Sequence, residues 1–457
     1  MNSSISTATR SQALPQEIAQ RVATHPCYSE EAHHHYVRMH LPVAPKCNIQ
    51  CNYCNRAYDC LNESRPGVTS KVLTPEQAVE RVAQVIAELP QLTVVGIAGP
   101  GDPLANPDKT FPTFELIARR FPDVKACLST NGLMLPDYVD EIKAHNIDHV
   151  TITMNAVDPA IAAEVYRWVF FRGETLRGRE GAELLLSRQL QGLEMLRERD
   201  ILCKVNIVMT PGVNDDHIPT LVREVKRRGP FIVNIMPLIP VAGTKFGDER
   251  RAPTFDEVRR VRDLCEGDVR QMRHCRQCRA DAVGLLGQDR SKEFASHQGC
   301  AVAAALVQEK REDVLGRVSA TISEQREEKE RISEGGPLPF VRVAVASKGN
   351  GLVNQHFGHA NEFLIYETRP EGIKLVEVRD VERFCHGPSD CDDDEATRIQ
   401  KIVDMLRDCQ AVLCSRIGRE PAVALSQAGI TPIMAYDTID KAVAEVARGT
   451  LKAPEWL

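Results

Sequence analysis

Six apolar stretches recur between residues 37 and 236, at Val37 to Val43, Thr93 to Ala98, Lys125 to Ser129, His149 to Met154, Lys204 to Met209 and Ile232 to Met236, separated by segments of helical periodicity. The segment opening at Thr74 shows the pattern. Thr74 can cap, Pro75 suits the first helical position, and Val79, Val82, Val85 and Ile86 repeat on one face. Strand and helix in alternation leave few architectures, because consecutive parallel strands need right-handed crossovers and the helices must cover the sheet. The expected fold is α/β, with six β/α units closing or partly closing as a barrel. In such barrels function gathers at the carboxyl ends of the strands. Those ends read Gly99-Pro100-Gly101-Asp102, Ser129-Thr130-Asn131-Gly132, Thr153-Met154-Asn155, Val205-Asn206 and Asn234-Ile235-Met236-Pro237 from the second strand to the sixth.

A chain of 457 residues carries a prior of about three domains, and 43% hydrophobic residues supplies real cores. A net charge of −6 gives no electrostatic footprint for nucleic acid or an anionic membrane. The opening Met1 to Arg10 is polar, with no apolar leader, and no apolar run reaches the length of a membrane span. The expected location is cytoplasmic. Fifteen cysteines in a reducing compartment point to metal ligation rather than disulfides, and eleven of them fall at or before Cys300.

Three of these stand directly after the first strand as Cys47-x3-Cys51-x2-Cys54, with aromatic Tyr53 before the last. Three thiolates on one loop hold three corners of a cubane cluster and leave the fourth iron to a ligand that is not protein, unlike a four-cysteine ferredoxin site. Taken alone, the spacing also admits zinc or chance. The Gly99-Pro100-Gly101 turn, about fifty residues later at the end of the next strand, narrows the choice. Together the two motifs resemble the radical S-adenosylmethionine (SAM) superfamily, in which SAM chelates the open iron of a [4Fe-4S] cluster. The resemblance implies that Gly99 and Gly101 let backbone approach the SAM amino group. It makes Thr153, Val205 and Asn206 candidates for the carboxylate, ribose or adenine, and Tyr53 for the adenine.

Further donors surround this motif. Cys275-Arg276-Gln277-Cys278 has the spacing with which two thiolates grip one metal centre, although a lone pair also fits zinc or a redox dithiol. His40 lies within the first strand, seven residues before Cys47, where a packed core histidine is the ordinary alternative. Cys127, inside the third strand, has the same alternative as a small buried hydrophobe, and Cys203 and Cys265 are read as structural. The run His33-His34-His35 reads as surface decoration. An overlong insert, residues 159 to 186, is either a lid over the site or an extra helix packed outside.

The runs His25-Pro26-Cys27-Tyr28, Ala44-Pro45-Lys46-Cys47-Asn48-Ile49-Gln50-Cys51-Asn52-Tyr53-Cys54 and Tyr58-Asp59-Cys60-Leu61-Asn62-Glu63-Ser64-Arg65 resemble the NifB family of nitrogenase cofactor maturases. That resemblance implies a radical SAM partial (β/α)6 TIM-like barrel. It implies two auxiliary [4Fe-4S] clusters as substrates, fused around a SAM-derived carbide with an added sulfur into an eight-iron precursor, NifB-co. It assigns Cys47, Cys51 and Cys54 to the SAM cluster, suggests His40, Cys60 and Cys127 around one substrate cluster, and Cys27, Cys275 and Cys278 around the other. Glu63 and Arg65, close to Cys60, are the candidate catalytic pair for proton movement or charge balance, with a surface ion pair as the alternative. The implied partners are iron–sulfur cluster donors, cofactor carriers or scaffolds, and an electron donor such as a ferredoxin.

The expected organisation is a flexible terminus over 1–20, the radical SAM domain over 21–305, a charged helical linker over 306–337 and a second α/β domain over 338–457. The segment His356-Phe357-Gly358-His359 and the β/α order there resemble NifX-type cofactor-binding domains. His356, His359, Cys385 and Cys391 become candidate cofactor contacts, with a plain polar loop as the alternative. Two competing functions are a peptide-modifying radical SAM maturase, which predicts a longer cysteine-rich extension, and a cluster carrier in which SAM plays no part.

Overall fold

A parallel strand covered by helices on one face needs apolar residues there, and stretches such as Val37-Arg38-Met39-His40-Leu41 and Lys204-Val205-Asn206-Ile207 supply them at alternate positions, leaving polar residues for the barrel interior. The computed structural model describes residues 14–62, 70–294, 304–370, 372–381 and 395–454. Its first domain contains β1 (Val37–Ala44), β2 (Ile49–Cys51), β3 (Leu92–Pro100), β4 (Lys125–Thr130), β5 (His149–Thr153), β6 (Tyr166–Phe171), β7 (Glu174–Leu176), β8 (Leu202–Met209), β9 (Ile232–Pro237) and β10 (Val283–Gly284). Strands β1, β3, β4, β5, β8 and β9 pair in that order, all parallel, as a curled half-barrel, and β10 closes the free edge of β1 antiparallel.

One face of each strand meets the covering helices. On β8, Cys203, Val205, Ile207 and Met209 join this outer core, so the alternate residues Lys204 and Asn206 face inward. The inner face is where polar side chains collect. Helices begin where the sequence signals them: Thr74 accepts from Gln77 N and Gln77 answers in a capping box.

Three expectations change. The terminal stretch is helical from Gln16 to Val22, because Ile18 and Val22 find apolar partners in Tyr28 and Phe231. The insert is not a single helix. It contributes a short helix, Pro159–Val165, the β6–β7 hairpin and the start of the long helix Gly178–Glu198, and β6 pairs antiparallel with β2. The histidine run is not decoration. It forms the helix Glu30–His35, and His33 and His35 are buried.

The charged stretch before the second domain is a 31-residue helix, Ala304–Glu334. Arg311, 1% exposed, ties it to the barrel through Asp123 and the carbonyls of Pro90 and Leu92. The second domain carries β11 (Arg342–Val345), β12 (Glu362–Arg369), β13 (Gly372–Asp380), β14 (Ala411–Cys414) and β15 (Thr431–Met434), ordered β13-β12-β11-β14-β15. Separate apolar clusters cover its two faces. Among the described residues no helix is long and apolar enough to cross a membrane.

Candidate iron–sulfur and SAM site

The three loop cysteines gather at the mouth of the half-barrel. Cys47, Cys51 and Cys54 line a cleft of about 410 Å³ with Cys60, Gly101, Asp102, Asn131 and Thr153. Hairpin β6–β7 braces the loop from outside, placing Trp168 opposite Gln50 and Tyr166 opposite Cys51. From inside, Asn155 Nδ2 donates to Tyr53 Oη at 2.9 Å, and Tyr53 Oη donates to Asn62 Oδ1 at 2.6 Å.

Gly101 shows why this turn cannot carry a side chain. A Cβ there would collide with the carbonyls of Lys46 and Pro45, so the glycine admits the backbone leading into Cys47. Asp102 then knots the ends of β3 and β4. Its carboxylate accepts from Asn131 N (2.6 Å), Leu104 N (2.9 Å) and Thr130 Oγ1 (3.0 Å). Asn131 in turn donates to Asn48 Oδ1 at 2.6 Å and lies 3.8 Å from Cys47 Sγ.

A second cavity of about 510 Å³ opens beside the first, and Ala98 and Ser129 line both. Around it stand Cys27, His40, Cys127, Cys275 and Cys278. The strand register explains part of this grouping: His40 on β1 pairs with Gly96 on β3, which pairs with Cys127 on β4. Three residues in one row put the two donors two strand spacings apart, about 10 Å, with no side chain between them. Gly96 is where the imidazole sits; a Cβ would come 3.1 Å from His40 Cδ2.

His40 Nδ1 lies 3.1 Å from the Arg279 carbonyl oxygen, so Nδ1–H donates and Nε2 keeps its lone pair. Burial, with the Arg38 guanidinium, pulls this histidine down to about 4, leaving it a neutral donor. Arg38 Nη2 donates to Cys278 Sγ at 3.1 Å and its Nη1 to the Gly284 carbonyl at 2.7 Å. Asn234 Nδ2 donates to Cys275 Sγ at 3.3 Å.

Of the residues singled out from sequence, Cys60 lines the triad's cleft, and Ala98 and Ser129, which line both spaces, border the cavity of His40 and Cys127. Tyr53 borders a small apolar pocket of about 210 Å³ with Leu61, Val208, Leu238 and Ile239. Asn206 donates to the Asn62 carbonyl at 3.2 Å, while the Val205 side chain belongs to the outer core, so only its backbone can face a ligand. Cys203 and Cys265 are buried in that core. Glu63, Arg65, Cys300, Cys385 and Cys391 lie outside the described residues. His356 and His359 stand with ring centroids 4.8 Å apart, and Gly358 N donates to His356 Nδ1 at 3.0 Å. Sequence reasoning missed Arg38, although its position two before His40 on one strand was the signal. It also missed Gln189, which donates to the Asn131 and Thr153 carbonyls from a helix with no local clue.

Comparison with known proteins agrees in both domains. A family model described as the radical SAM superfamily matches residues 41–225, and one described as dinitrogenase iron-molybdenum cofactor matches residues 340–449. The chain is 52% identical over 452 residues to the FeMo cofactor biosynthesis protein NifB of Frankia alni, covering 94% of this chain and 88% of that protein. To the protein of the same name from Azotobacter vinelandii it is 48% identical, covering 96% and 91%. Among solved structures, Streptococcus suis SuiB bound to S-adenosylmethionine superposes with a TM-score of 0.38 at 15% identity, covering 52% of this chain and 50% of that one.

Radical SAM membership implies a [4Fe-4S] cluster and SAM, and the donor set fits them. Three thiols share one loop beside an open cleft. Burial pushes the Cys47 thiol up to about 11 and holds Cys51 and Cys54 above the ordinary range, so they are protonated until iron arrives and ligation releases protons. On shared sequence over nearly the full length of these relatives, the chain belongs to the NifB family of FeMo cofactor biosynthesis proteins and is a radical SAM enzyme of nitrogenase cofactor assembly.

Proposed function

We propose that this enzyme joins two [4Fe-4S] clusters, held as substrates, with insertion of a SAM-derived carbide and one additional sulfur, giving the eight-iron precursor of the nitrogenase cofactor. The observation that carries the reading is the second cavity: five soft donors from four separate segments line one buried space that shares a wall with the triad's cleft. Cys27, Cys275 and Cys278 hold one substrate cluster; His40 and Cys127 hold the other, with Cys60 reaching it from the triad's side. An imidazole at His40 suits a cluster that must later leave, because a neutral nitrogen ligand exchanges more readily than a thiolate.

When bound at Cys47, Cys51 and Cys54, the resident cluster supplies the electron that cleaves SAM reductively. The chain's own residues position and exclude water. The pocket beside Tyr53, lined mainly by apolar side chains, takes the adenine, and Gly99, Gly101, Thr153, Val205 and Asn206 face the remainder of SAM through backbone or short side chains. Glu63 and Arg65, next to Cys60 in sequence, serve proton movement or charge balance. The second domain holds the product or passes it on, with His356 and His359 as contacts. Cluster donors, a cofactor carrier and a ferredoxin-like reductant complete the system, in a cytoplasm that keeps the thiols reduced.

Anaerobic reconstitution with iron counting tests the assignment. The native chain is expected to hold about three four-iron clusters, and the Cys275→Ala/Cys278→Ala chain one fewer, while 5′-deoxyadenosine formation survives the double substitution. Full iron in the variant would remove Cys275 and Cys278 from the ligand set. Absence of 5′-deoxyadenosine from the reduced native chain would favour a carrier.

A further inference from the structure

The segment carrying Cys275 and Cys278 has no ladder of its own; residues 272–279 run without regular secondary structure between the isolated bridge at Gln271 and a turn at Ala280. Thiol positions in such a segment must be set by side chains around it. Of the two residues flanking Cys275, Arg276 reaches the second domain directly and His274 is linked to it through His33 and His34. Arg276 Nε lies 2.9 Å from Glu362 Oε2 as an ion pair, the arginine is 6% exposed, and neither its Nε nor its Nη1 has an aligned hydrogen-bond partner among the described residues. Gly287, at φ +93°, makes room for that carboxylate: a Cβ there would collide with Glu362 Oε1. On the other flank, the His274 ring stacks on His33 with centroids 4.8 Å apart and 20° between planes, His33 lies 3.7 Å from His34, and Tyr366 Oη is 3.4 Å from His34 Nε2. His274 also binds the Pro26 carbonyl, at 3.0 Å, next to Cys27. Glu362 and Tyr366 are four residues apart on β12, hence on one face of one strand.

We propose that β12 of the second domain positions Cys275 for its substrate cluster, with Glu362 and Tyr366 as positioning residues that act through Arg276 and His274. The second domain is then part of the machinery of the first, and the buried histidine run is the strut between them. A guanidinium this deeply buried needs its carboxylate, so losing Glu362 displaces Arg276 and with it the neighbouring thiol. The inference rests on the reading that Cys275 and Cys278 hold a substrate cluster.

The test uses the full-length chain, reconstituted anaerobically, with iron counted after desalting and EPR spectra of the reduced protein. Glu362→Gln and Arg276→Gln are each expected to lose about four irons per chain. Glu362→Asp keeps them, and the double variant loses no more than either single one, as residues acting as a unit require. The spectral response of the Cys47, Cys51 and Cys54 cluster to SAM persists throughout. Full iron in Glu362→Gln, or equal loss in Glu362→Asp, overturns the proposal. Cys275→Ala/Cys278→Ala is run beside them: if it too keeps full iron, the cluster reading itself fails, and if it alone loses iron, only the interdomain link fails. Should Glu362→Gln not fold, Tyr366→Phe takes its place, because it removes only a hydroxyl. An altered auxiliary EPR signal supports the link and an unaltered one overturns it.

Discussion

At the scale of single residues, the second cavity depends on what is missing from one of them. His40 and Cys127 face each other across Gly96, and the space for the imidazole exists because that position has no Cβ. Gly96→Ala therefore adds one methyl group where the ring edge already lies 3.1 Å away. Strand backbone suits alanine, so the substitution acts through crowding; overpacking of this kind costs roughly 1–3 kcal/mol when the neighbours cannot yield. His40 is the neighbour, and its Nδ1 is fixed by the Arg279 carbonyl. The expected result is a chain that still cleaves SAM but retains less auxiliary iron, read by iron counting beside 5′-deoxyadenosine yield. Unchanged iron with unchanged cleavage would mean that Nε2 of His40 is not a ligand. Gly101 is the contrasting case, since its missing side chain admits backbone from the cysteine loop rather than a functional group.

At the scale of elements, the cysteine loop is held by parts far away in sequence. Asn155, fully buried at the end of β5, donates to both Tyr53 Oη and Tyr166 Oη and accepts from Val208 N at 2.8 Å. Asn155→Ala removes these three bonds at once; Tyr53 Oη keeps Asn62, whereas Val208 N loses its acceptor, and a buried group left unpaired costs about 1–3 kcal/mol. The expected outcome is a folded barrel with a lower thermal midpoint, whose triad loses its iron faster than native under chelator. A chelation rate equal to native would show that the hairpin and loop stand without it. The six barrel strands were legible from sequence because each carries short, β-branched-rich apolar patterning between helical segments, a local property. The hairpin was not, because the partner that makes Tyr166 to Phe171 a strand is Ile49 to Cys51, more than a hundred residues earlier. The histidine run misled for the same reason. Its composition reads as surface, and the helix Ala304–Glu334, His274 and Tyr366, all far along the chain, cover it. Cys27, Cys275 and Cys278 could be marked as donors by type and spacing, whereas the side of Ala98 and Ser129 on which Cys60 falls depends on how the loop turns after Cys54.

For the whole molecule, several ion pairs join the two domains, and this makes their docking sensitive to acid. Arg259, on the barrel helix Phe255–Glu266, reaches Glu377 Oε1 at 3.3 Å and Asp408 Oδ2 at 3.2 Å in the second domain. Asp408 is the hub, because Arg379 donates to both its oxygens, at 2.5 and 2.7 Å, and Arg342 donates at 2.7 Å. Burial alone would raise this carboxyl. The hydrogen bonds and charge of Arg379, with Arg342 and Arg259, outweigh burial and hold it well below the usual carboxylate range. A folded-state pKa lowered in this way contributes stability that is fully present above the unfolded value of about 3.9 and is lost as pH falls through the folded value. The native chain should therefore lose resistance to denaturant progressively below about pH 5. Asp408→Asn should be less stable than native at neutral pH, by roughly 1–3 kcal/mol for the charge-assisted bonds it weakens. Its stability should also fall less steeply with acid, because the group that titrates is gone. Denaturant midpoints of the two chains measured from neutral pH down to about pH 3 should converge. Parallel curves across that window would place the acid sensitivity elsewhere and leave Asp408 as a packing residue of the second domain alone.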